Sequence, residues 1–64
     1  MSSVRYIVCD NREGVLWSWS GKTMRPIERH ESKGYQSEVT ARKTGQKLYY
    51  RGFIVGELVI KAIE

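Results

Sequence analysis

Cys9 and His30 are the residues best suited to nucleophilic chemistry in this chain, a thiol and an imidazole base. A working pair also needs a third group to orient the base and donors to hold an oxyanion. No such partners stand at a recognisable spacing. Cys9 lies in an apolar stretch, where a thiol is ordinarily an inert hydrophobe, and His30 lies in the most polar stretch, MRPIERHESKG, and reads as a solvated loop histidine. Glu28 and Glu31 are one helical turn apart among Arg25, Arg29 and Lys33, which makes them charge partners and not a catalytic carboxylate pair. With one cysteine and one histidine, the chain offers no internal disulfide and no ligand cluster for a structural zinc.

Ser20-Gly21-Lys22-Thr23 looks like the end of a phosphate-binding loop. The first glycine of that motif belongs where Leu16 sits, and a chain of 64 residues leaves no room for the surrounding α/β unit. The expectation is therefore a non-enzymatic protein with no catalytic residue, metal or cofactor.

Binding chemistry has more support. The formal net charge is +4, and it is concentrated in the middle of the chain. Lys22, Arg25, Arg29, Lys33, Arg42, Lys43, Lys47 and Arg51 stand there against Glu28, Glu31 and Glu38, eight cations against three carboxylates for a balance of +5. That is the electrostatic footprint of a polyanion binder, although a small soluble protein also carries such a charge for solubility. Trp17 and Trp19, at i,i+2, share one face of a strand, where they either build core or offer a stacking platform. Tyr49 and Tyr50 are neighbours, and on a strand one of them faces solvent. Basic side chains interleaved with aromatics are the composition of nucleic-acid surfaces.

The elements that must position these groups are short strands. Ser3–Cys9 is apolar on both faces and suits a central strand; Asp10 to Gly14 gathers turn formers, with Gly14 in the left-handed position; Val15–Ser20 alternates cleanly. Residues 24–34 read as a polar crossover loop with one helical turn. Were it a full helix, Arg25, Arg29 and Lys33 would form one basic ridge. Tyr35–Lys43 alternates as a half-buried strand, Gly45 supplies a tight turn, and Lys47–Arg51 returns as the second arm of a hairpin, with a bulge or bend at Gly52.

The apolar run from Lys47 to Ile63 is the only one long enough to anchor a core. Gly56-Glu57 between Phe53–Val55 and Leu58–Ile60 fits a type II′ hairpin, and the same residues fit a C-terminal helix over 53–63. The β-branched content favours strands. The expected fold is a single small domain, residues 1–64, mainly β: a small antiparallel sheet or an SH3-like or OB-like barrel of four to five short strands. The alternative is an α+β chain in which one helix covers the sheet.

Three further expectations concern setting and partners. MSSVRYIVCD lacks the pattern of a secretory leader, and no apolar run approaches the ~18 residues of a membrane span, so a cytoplasmic protein without a membrane partner is expected. A domain this small buries only about 60% of its unfolded surface, which makes a homodimer reasonable. The functional expectation is a nucleic-acid-binding module, for DNA or RNA, using Trp17, Trp19, Tyr49 and the eight central cations. The alternative is a protein-interaction module, an inhibitor or adaptor, that meets a protein partner through exposed apolar residues.

Overall fold

Glu13 and Gly14 turn the first hairpin with φ of 51° and 86°. Two successive residues at positive φ make a type I′ turn, whose twist matches that of the strands it joins. They connect β1 (Arg5–Arg12) to β2 (Val15–Trp19), antiparallel from Arg12↔Val15 to Cys9↔Ser18. The hairpin is the expected one, except that Asp10–Arg12 extend the strand instead of forming turn. The computed structural model describes residues 4–64; Ser3, the expected start of the first strand, lies outside them.

The polar crossover opens with a three-residue strand, β3 (Met24–Pro26), on the free side of β2, followed by a single 3₁₀ turn over Ile27–Arg29. Arg25 is thus in a strand and Arg29 in the turn, so the basic ridge that a full helix would have made does not form. The chain then crosses the face of the sheet that carries Ser18. The Ser18 hydroxyl lies 2.8 Å from Nε2 of His30 and 2.6 Å from Oγ of Ser32. His30 is therefore a half-buried anchor of this segment, where the sequence suggested a solvated loop residue. Two backbone hydrogen bonds of 2.8 Å between Tyr6 and Tyr35 fasten the end of the crossover to β1.

Tyr35–Lys43 and Lys47–Arg51, expected to be the two arms of a hairpin, do not pair: Glu38–Tyr50 is one helix, α1. Ser37 caps its first turn, its hydroxyl accepting from the Thr40 amide, and Glu38 stands near the positive end of the helix dipole. Ala41, Gly45 and Leu48, at i, i+4 and i+7, are its buried stripe. Gly45 is a packing residue, not a turn residue. A Cβ there would stand 2.7 Å from Cδ1 of Leu58, so the helix lies closer to the sheet than a larger residue permits. The end is a complete Schellman motif. Gly52 adopts φ 84°, its amide donates to the Tyr49 carbonyl at 3.2 Å, and the Phe53 amide donates to that of Leu48 at 2.9 Å.

Residues 53–63 are not a helix. Glu57–Ile63 forms β4, paired antiparallel with β1 from Asn11↔Glu57 to Arg5↔Ile63. Phe53–Val55 is irregular, so the Gly56-Glu57 hairpin does not form either. The result is a four-stranded antiparallel sheet in the order β3-β2-β1-β4, with one helix across one face. Its edges, β3 and β4, do not pair with each other, so it stays open where a barrel would close. β1 is interior, as its two apolar faces required.

Val8, Met24, Ala41, Leu48 and Ile54 are the core between helix and sheet, ringed by Tyr6, Trp17, Trp19, Tyr35, Leu58 and Ile60. Burying a side chain such as Leu48 or Ile54 stabilises the fold by roughly 1.5–3 kcal/mol. On the opposite face Ile7, Cys9 and Ser18 are buried near the 27–34 crossover. Burial pushes the Cys9 thiol above its ordinary value, an effect that Lys61 partly offsets. The unfolded thiol ionises near about 8.5, so its contribution to stability is full below that pH and is lost as pH rises toward the folded value. Denaturant unfolding of wild type and Cys9→Ala at pH 7 and pH 10 is expected to show a smaller alkaline loss in the variant.

One buried carboxylate ties these parts together. Asp10 is fully buried on the helix side of β1 and accepts from Nε of Arg12 at 2.8 Å, the Val55 amide at 3.0 Å and the Gly56 amide at 2.9 Å. Arg12 also donates to the Phe53 carbonyl at 2.9 Å and lies 4.2 Å above the Trp17 ring. Gly56 is obligatory here, since a Cβ would fall 2.2 Å from the Asn11 carbonyl oxygen. The connection from α1 to β4 is thus held at one end by the helix cap and at the other by Asp10.

Candidate nucleic-acid interface

The outer face of α1 gathers four of the eight central cations. With Ala41, Gly45 and Leu48 turned to the sheet, the 100° step of the helix places Val39, Lys43, Gln46 and Tyr50 outward. Lys43, Lys47 and Arg51, at i, i+4 and i+8, form a ridge that winds from this outward line toward one flank. Arg42 and Tyr49 lie on the other flank. All of these residues are exposed, Tyr49 at 58% and Tyr50 at 91%.

Arg42 is engaged along its own helix, with Nη2 3.0 Å from Oε1 of Glu38. The only other ion pair among the described residues is Arg12–Asp10. Lys43, Lys47 and Arg51 are therefore unpaired there, and this ridge is an unneutralised field on a convex surface.

The remaining predicted residues lie elsewhere. Lys22 sits in the β2–β3 turn, Arg25 on edge strand β3 and Arg29 in the 3₁₀ turn, while Lys33 stands 5.5 Å above the Tyr35 ring. The basic middle of the sequence is thus split between the helix and the 22–33 segment. Trp17 and Trp19 do share a face, but it is the core face: Arg12 covers Trp17, and Trp19 meets Phe53 edge-on at 5.2 Å between ring centroids. Both tyrosines are exposed, and Tyr50, which was not among the expected binding residues, is more so than Tyr49, which was. Helical spacing from Lys43 would have found Tyr50.

Other constellations have ordinary structural roles. Within 20–23, the Ser20 hydroxyl accepts from the amides of Lys22 and Thr23, so this turn satisfies its own donors. Ser18 and His30 are within hydrogen-bond reach, but Ser18 is 0% exposed and Nδ1 of His30 has no partner, so no substrate meets that hydroxyl and no group orients the base. Among the described residues, no three His, Cys, Asp or Glu side chains converge as metal ligands, and no helix is long and apolar enough to cross a membrane. An open groove of about 410 Å³ runs beside Leu16, Pro26, Ile27, Arg29 and Lys61.

Comparison of the chain with protein-family models, with curated proteins and with solved structures gave no match.

Proposed function

We propose that this protein is a non-enzymatic nucleic-acid-binding module that lays the outer face of α1 against the phosphate backbone of a duplex. The observation that carries this reading is the exposed, unpaired ridge Lys43–Lys47–Arg51. A convex helix of about 10–12 Å diameter suits the major groove of B-DNA, about 12 Å wide. The Trp17–Trp19 face is occupied by core packing, which speaks against a stacking platform for unpaired bases. Contacts of this kind are electrostatic and weakly selective, since phosphates carry no sequence information. Tyr50 and Gln46 stand beside the ridge and supply the polar contacts that would set register.

Fluorescence anisotropy with a labelled duplex and a labelled single strand, each titrated at several salt concentrations, tests the proposal. Tighter binding to the duplex, weakening linearly on a log–log salt plot, is the expected result. Absence of binding to either at low salt would refute it. A second reading rests on Val39, Tyr49 and Tyr50 on the same exposed surface, which with the ridge also fit an acidic protein partner. Competition by a duplex for that surface separates the two.

A further inference from the structure

The two edges of the sheet are unlike. β3 is three residues long and contains Pro26, both of which discourage pairing with another chain. β4 has seven residues with neither proline nor glycine, and its outer side has no partner among the described residues.

The hydrogen bonding of β1 decides which backbone groups of β4 face outward. The amide and carbonyl of Tyr6 point to Tyr35, away from β4. By the alternation of a strand, Arg5, Ile7, Cys9 and Asn11 then face β4, where they pair with Ile63, Lys61, Val59 and Glu57. The free donors and acceptors of β4 therefore belong to Leu58, Ile60 and Ala62.

We infer that β4 pairs antiparallel with β4 of a second copy of this chain, about a twofold axis at Val59. Antiparallel pairing must match outward groups with outward groups, which allows only every second register. In the one centred on Val59, Leu58 faces Ile60 of the second copy, and the two copies exchange about four backbone hydrogen bonds. The same register sets Glu57 opposite Lys61 of the second copy, twice by symmetry, as non-hydrogen-bonded pairs whose side chains approach most closely. Centring on Ile60 would leave both charges facing apolar residues, and centring on Lys61 would oppose two lysines. The charges on this edge thus select one self-complementary register. A continuous eight-stranded sheet results, with both α1 helices on the same side.

Light scattering on the eluting protein is expected to give twice the 7.4 kDa chain mass at high micromolar concentration. Glu57→Lys opposes two lysine pairs and Lys61→Glu opposes two glutamate pairs, so each alone is expected to raise the dimer dissociation constant about tenfold. Mixed in equal amounts, the two variants become complementary at both sites and are expected to dimerise again. Both positions are exposed, so folding is preserved. A monomeric wild type, or a dimer indifferent to both substitutions, would overturn the inference. Amide exchange on the wild type is an independent readout: protection of Leu58 and Ile60 that rises with concentration supports the pairing, and free exchange of these two amides at every concentration refutes it.

Discussion

Asp10→Ala is expected to leave the chain largely unfolded at 25 °C. The substitution strands three donors that the carboxylate satisfies, the amides of Val55 and Gly56 and the Arg12 guanidinium. Removing one partner from a buried charged network costs about 3–5 kcal/mol. A domain of this size has roughly 3–5 kcal/mol of stability in all. The loss thus equals the margin. Asp10→Asn keeps one acceptor oxygen but places an amide nitrogen where an acceptor is needed, so an intermediate loss is expected. Urea unfolding followed by Trp17 and Trp19 fluorescence would report both, since each indole sits in the core that the 53–56 segment helps to close. An Asp10→Ala protein with a wild-type midpoint would show that the carboxylate is not the clasp.

The largest functional effect is expected from replacing Lys43, Lys47 and Arg51 together by alanine. Each phosphate contact contributes about 0.9 to the slope of log affinity against log salt for B-DNA. Removing three is expected to lower that slope by about 2.7 and to weaken duplex binding at moderate salt by more than about tenfold. The three side chains are exposed, and alanine is the best helix former, so α1 is expected to retain or gain helicity. The same triple change at Lys22, Arg25 and Lys33 is the control, because those cations lie away from the helix face. An unchanged slope in the first variant, or an equal loss in the control, would sink the assignment of the ridge.

The hairpin was legible because its cues were local: two apolar faces on β1, clean alternation through Trp17 and Trp19, and Gly14 where the left-handed residue stands. β4 was legible as a strand from its β-branched residues, but not its partner. Pairing with β1 depends on residues some fifty positions away, and no short-range signal encodes that. The helix was misread because two periods overlap between Tyr35 and Arg42, and alternation there imitates a strand. Gly45 then supplied a false turn, its real role being visible only once Leu58 lies across from it. The Ser37 cap and the Ala41–Gly45–Leu48 stripe were present in the sequence and argued the other way.

The candidate site was half legible for the same reason. The cations Arg42, Lys43, Lys47 and Arg51 were identified by type and crowding alone. Their common surface required the 100° step of a helix, and a strand would have spread them over two faces. Asp10 gave no sequence signal, because an aspartate beside Asn11 and Gly14 reads as turn chemistry.

The interior position of β1 governs the order in which the molecule assembles. On one side β1 meets β2 across a two-residue turn, and such hairpins form in about 1–10 μs. On the other side Asn11 must find Glu57 across the whole intervening chain. Closing so long a loop has an entropic cost that only later contacts offset, and folds dominated by such pairings take milliseconds to seconds. The pairing of β1 with β2 is therefore expected to precede its pairing with β4, and the helix face carrying the ridge is expected to become a fixed surface only with the later event.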